Sequence, residues 1–113
     1  MKHRDTRVAE AIQRIVSDII RDEIRKPVTL FSIPHVTVTR DLYHAKIFLS
    51  FFGPHPEADF ENILEAKGYI RTQLAQRIQL RKAPELEFVN DHSLAEAARI
   101  VAKINQLPHS KDE

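Results

Sequence analysis

The spacing of apolar residues switches period repeatedly along this 113-residue chain, and that succession restricts the fold more than any single motif does. From about Arg4 to Arg25, Val8, Ile12, Ile15, Val16, Ile19 and Ile20 recur at helical intervals, as on a helix with one buried face. Pro27 ends the pattern, because proline lacks the N–H a helix interior needs. Alternation follows: Val36 and Val38 around Thr37 and Thr39, then Ala45, Ile47, Leu49 and Phe51 against Lys46, Phe48 and Ser50. Two strands are predicted. Arg40-Asp41-Leu42-Tyr43-His44 joins them, short enough for a hairpin although it lacks an Asn-Gly turn.

Gly53-Pro54-His55-Pro56 breaks the second strand, and Pro56 with Glu57 and Asp59 suits a first helical turn, where acids meet the positive end of the dipole. That helix should run to about Glu65. Gly68 interrupts the helical pattern, which resumes through Ile70, Leu74 and Ile78 and stops before Pro84. Leu86 and Phe88 alternate with Glu87 and Val89 as a third strand, and Ser93-Leu94-Ala95-Glu96 has the capping-box form that opens a last helix through Ala98, Ile100, Val101 and Ile104. The order helix, strand, strand, helix, kink, helix, strand, helix predicts an α+β fold. A hairpin followed by a helical crossover gives a three-stranded mixed sheet with helices on one face. Residues 1–107 form one expected domain, with 108–113 a polar, mobile tail.

Several functions are disfavoured at once. The longest largely apolar run, Ile47 to Phe52, is far shorter than the roughly 20 residues of a membrane span. The N-terminus lacks a secretory pattern and the chain has no cysteine, which together point to the cytoplasm. His3, His35, His44, His55, His92 and His109 are scattered without metal-ligand spacing. With glycine only at 53 and 68, no phosphate-cradling loop can be written. Asp91-His92-Ser93 suits helix capping better than a triad, which is assembled in space rather than from neighbours. The acids at 57, 59, 61 and 65 suggest a solvated face. No cofactor, metal or reaction is expected.

Net charge is only +1, so the distribution of the 17 Lys and Arg residues carries the argument. At 100° per residue, Arg7, Arg14, Arg21 and Arg25 project within about 40° of one another, away from the apolar stripe. A guanidinium fork matches phosphate oxygens. The plainer alternative is a solvated face with local pairs to Glu10 and Asp18. Arg71 and Arg77 fall on opposite rims of the Ile70, Leu74 and Ile78 stripe, so their stems could instead cover the core. Lys67 sits beside the kink, where unpaired N–H groups of the next helix would attract a phosphate. Gly68 has two readings: a positive φ, or helical angles that permit close approach to a ligand.

Arg4-x-x-Arg7-Val8, Val36-Thr37-Val38-Thr39-Arg40-Asp41-Leu42 with Ala45, Ala66-Lys67-Gly68-Tyr69-Ile70-Arg71 with Leu74-Ala75, and Pro84-Glu85-Leu86-x-Phe88 with Asp91 resemble, in order, the ribosome-binding factor A family. The resemblance covers about Arg4 to Ile104. It implies a type II KH domain whose helix junction is Ala-x-Gly, here Ala66-Lys67-Gly68, in place of the GxxG loop of ordinary KH domains. It further implies binding to the free small ribosomal subunit and its 16S rRNA, and support for late processing and folding of that RNA, especially in the cold. It implies neither catalysis nor a cofactor. A monomer is expected, and an assembly GTPase is left open as a further partner. By extrapolation, the RNA face is assigned to Arg4, Arg7, Arg14, Arg21, Arg25, Lys67, Gly68, Arg71 and Arg77. A generic single-stranded RNA-binding KH-like module, and an adaptor for an acidic protein, are the competing readings.

Overall fold

The first helix, α1 (Arg4–Asp22), buries Val8, Ile12, Val16, Ile19 and Ile20 in one stripe, as its spacing requires. These residues belong to a computed structural model that describes residues 4–28, 30–93 and 100–101. The helical pattern of the sequence extends to Arg25, but the helix stops at Asp22 and the chain turns there, with Glu23 N donating to Ile19 O at 2.8 Å. Ile24 and Val28 then enter the core. Arg25, exposed between these two anchors, therefore lies beyond the end of the helix.

The strands are β1 (Phe31–Val38), β2 (His44–Phe51) and β3 (Glu85–Asn90). The sheet order is β1-β2-β3, with β1 antiparallel and β3 parallel to β2. The central strand presents Ala45, Ile47, Leu49 and Phe51 to the core, facing Ile33 and Val36 of β1 and Leu86 and Phe88 of β3. The strand β1 begins five residues before the alternation does, because a bulge between Ser32 and His35 shifts the period around Ile33-Pro34. Pro34 is tolerated there on an edge strand. Gln13 of α1 ties the bulge down, its Nε2 donating to Ile33 O at 2.6 Å.

The β1–β2 turn is built on one carboxylate. Asp41 Oδ1 accepts from Thr39 Oγ1 at 2.6 Å and from Tyr43 N at 3.0 Å. The Thr39 hydroxyl, followed by the Tyr43 amide, holds the Asp41 carboxyl below the usual aspartate range. Leu42 takes a φ of 67°, a left-handed conformation that this turn imposes without Gly or Asn.

Two helices carry the chain from β2 to β3: α2 (Pro56–Glu65), with Glu57 and Asp59 in its first turn, and α3 (Lys67–Arg77). Together with α1 they pack on one face of the sheet, burying Ile63, Ile70 and Leu74. The opposite face carries His35 and Phe48, with ring centroids 5.4 Å apart. Ser50, placed by alternation on that outer face, is nevertheless fully buried, and its hydroxyl donates to Asp91 O at 2.9 Å. Asp91 Oδ1 also accepts from both the amide and the hydroxyl of Ser93. Apart from Ser93, Ile100 and Val101, the last helix expected from sequence lies outside the described residues, as does the tail from Pro108. Among the described residues, no helix is long and apolar enough to cross a membrane.

Candidate nucleic-acid interface

Along α1, Arg4, Arg7, Arg14 and Arg21 are all exposed, a row that spans about 25 Å at 1.5 Å rise per residue. Only one of the local pairs expected on this face forms. Arg21 Nη1 lies 3.0 Å from Asp18 Oδ1, and its Nη2 donates to Ser17 Oγ at 2.9 Å. Arg4, Arg7, Arg14 and Arg25 have no ion-pair partner among the described residues. Arg25, grouped with the ridge by helical projection, instead lies in the α1–β1 connection. There it lines a cleft of about 450 Å³ with Lys26, Asn62, Glu65 and Ala66. Sequence reasoning left Lys26 and Asn62 out of the interface, because nothing in the helical periodicity links the end of α1 to the end of α2.

The junction between α2 and α3 is one residue long. Ala66, at φ −90° and ψ 5°, donates its N–H to Asn62 O at 3.2 Å and Ile63 O at 3.0 Å, and its carbonyl accepts from Ile70 N at 2.8 Å. No side chain caps the start of α3 at Lys67, which is half-buried. Gly68 lies within α3 with a negative φ, so the positive-φ reading is excluded. A Cβ added at Gly68 would meet nothing within 4 Å. Gly68→Ala is therefore expected to raise stability by about 0.5–1 kcal/mol through helix propensity alone, measured as a higher melting temperature.

The two α3 arginines are held by intramolecular partners. Arg71 Nε donates to Pro84 O at 3.1 Å and its Nη2 to Ala83 O at 3.2 Å, with Glu85 Oε2 3.4 Å away. This clamps the α3–β3 connection beside a groove lined by Gly68, Arg71, Thr72, Ala75 and Ala83. Arg71→Ala, which leaves two part-buried carbonyls without their donor, is expected to cost about 1–3 kcal/mol in urea unfolding. Arg77 pairs with Glu23 Oε2, while Tyr69 Oη donates to Glu23 Oε1 at 3.0 Å. The Arg77 guanidinium holds the Glu23 carboxyl below its usual range, and the same Glu23 carboxylate pushes the Tyr69 phenol up. This cluster fastens the end of α1 to α3.

Among the described residues, no three His, Asp or Glu side chains could hold a metal ion. A mixed three-stranded sheet, backed on one face by helices that include a pair meeting at Ala66, defines an α+β domain of the type II KH class. The segment Ala66-Lys67-Gly68, which opens at this junction, stands where ordinary KH domains carry a GxxG loop. The family model for ribosome-binding factor A matches residues 4–104, and the chain belongs to that family. Ribosome-binding factor A of Desulforamulus reducens is 42% identical over 110 residues, covering 95% of this chain and 92% of that protein. The solution NMR structure of a Thermotoga maritima protein, a ribosome binding factor A candidate, superposes with a TM-score of 0.68 at 26% identity, over 80% of this chain and 90% of the other. A homology model of the Thermus thermophilus ribosome binding factor A, fitted into a cryo-EM map of its 30S complex, gives a TM-score of 0.63 at 19% identity. It covers 74% of this chain and 91% of that one, and speaks to fold alone.

Proposed function

We propose that this protein binds the free small ribosomal subunit through 16S rRNA and assists the late processing and folding of that RNA, as a binding factor rather than an enzyme. The observation that carries the reading is the row of exposed α1 arginines, three of them without an ion-pair partner among the described residues, in a chain of the ribosome-binding factor A family. Membership of the ribosome-binding factor A family supports the choice of partner, and a Thermus thermophilus protein named for the same family has been fitted into a 30S complex. Unpaired guanidinium groups bind phosphate without first breaking an internal bond, whereas Arg71 and Arg77 would have to release carbonyls and Glu23. On this reading Arg4, Arg7, Arg14 and Arg25 make the phosphate contacts, and Gly68 keeps α3 bare for a close approach of the RNA backbone. Gly68→Ala then weakens binding while the fold gains stability.

Sedimentation tests the reading. The purified protein is expected to travel with free small subunits and to be absent from large subunits and assembled ribosomes. Equal binding to all three, or to none, would overturn it. Retention on short single-stranded RNA as strong as on small subunits would favour a general RNA-binding module.

A further inference from the structure

The cleft at the α2–α3 junction gathers groups that the chain holds far apart. Arg25 and Lys26 come from the α1–β1 connection, and Asn62, Glu65 and Ala66 from the end of α2. Lys26 Nζ lies 3.0 Å from Glu65 Oε1, and both side chains are 60% exposed. An ion pair so open to water contributes little to stability. Glu65 is no better placed for its own helix, since a carboxylate in the last turn meets the negative end of the dipole, and α2 has no base there. Arg25 lines the same cleft without an ion-pair partner among the described residues.

Two cations, an amide that can donate and a single exposed carboxylate make a site with one anion already in it. We infer that the Arg25–Lys26–Asn62 cleft is a phosphodiester subsite for RNA, and that Glu65 fills it in the free protein. A phosphodiester and a carboxylate each carry one negative charge, so the exchange at Lys26 is charge-neutral. RNA takes the place of Glu65, and Lys26 and Arg25 close on the incoming phosphate with Asn62 as a third donor. Lys26 displaces a cation from the RNA phosphate, but the freed Glu65 carboxylate beside it takes one up, so the exchange releases no net counterion and the site contributes less to the salt dependence of binding than its cations alone would suggest. This rests on the RNA-binding reading above.

The test compares wild type, Glu65→Gln, Lys26→Gln and the double variant for binding to purified small ribosomal subunits across a salt series, with Glu87→Gln as a control for the same charge change on the outer face of the sheet. Glu65→Gln is expected to tighten binding roughly three- to tenfold at low salt and to steepen the slope of log affinity against log salt by about 0.7–0.9. Lys26→Gln is expected to weaken binding, and in the double variant the gain from Glu65→Gln should disappear. Glu87→Gln should leave affinity within twofold of wild type. Thermal melts check that every variant is folded. A gain that persists without Lys26, or one matched by Glu87→Gln, would overturn the subsite in favour of general charge repulsion. No gain from Glu65→Gln in a protein that binds small subunits would overturn it too. A wild type that does not bind at all defeats the RNA-binding reading itself.

Discussion

Replacing Ile47 by alanine is expected to lower the free energy of unfolding by about 2–5 kcal/mol, the range for deleting a buried aliphatic side chain whose neighbours relax only in part. Ile47 is fully buried on the central strand, in register with Val36 on one side and Phe88 on the other. It is thus held between an antiparallel and a parallel neighbour under the helical layer, and the cavity cannot collapse without moving both pairings. Domains of this size have only about 5–15 kcal/mol of stability in total. Urea unfolding measures the effect: the midpoint should fall with the slope unchanged. A loss under about 1 kcal/mol would show that the core repacks at this point.

Reversing charge on the α1 ridge should leave the fold intact and damage binding. Arg7 and Arg14 are exposed and lack an ion-pair partner among the described residues, and exposed substitutions of this kind usually alter stability by only about 0.5 kcal/mol. Each phosphate contact contributes about 0.7–0.9 to the salt slope. Arg7→Gln with Arg14→Gln should therefore flatten that slope by about 1.4–1.8, and Arg7→Glu with Arg14→Glu should lower small-subunit affinity at least roughly tenfold, because repulsion is added to the lost contacts. Adding Arg21→Glu should contribute less, since Arg21 is already engaged by Asp18 and Ser17. Full affinity in a folded Arg7→Glu, Arg14→Glu variant would return the ridge to the status of a solvated face.

The α1 stripe, the α2 boundaries and the inward side of β2 were legible in the sequence because each depends on local periodicity and on the fixed conformational habits of proline. Alternation failed where the chain departs from a uniform period. The bulge at Ser32–His35 hid the first half of β1, and Ser50 reads as an outward residue although it is fully buried and hydrogen-bonded to Asp91 O. The kink expected over Ala66–Gly68 falls at Ala66, while Gly68, singled out for its poor helix propensity, is helical within α3. An intrinsic preference of about 1 kcal/mol does not position a helix end when flanking residues such as Ile63 and Ile70 are fixed by burial.

By itself, the sequence determined the fold class, through the succession of hydrophobic periods, and the family, through motifs that follow one another from Arg4 to Ile104. It also determined that α1 carries arginines on one side, since helical geometry alone makes that so. Only the tertiary structure decided which of those cations have internal partners. Arg71 meets Ala83, Pro84 and Glu85, Arg77 meets Glu23 across 54 residues of chain, and Lys26 meets Glu65 across 39. Side chains so distant in sequence become neighbours only when the core closes, and periodicity, which reports a residue's face on its own element, carries no information about what the next element brings opposite it.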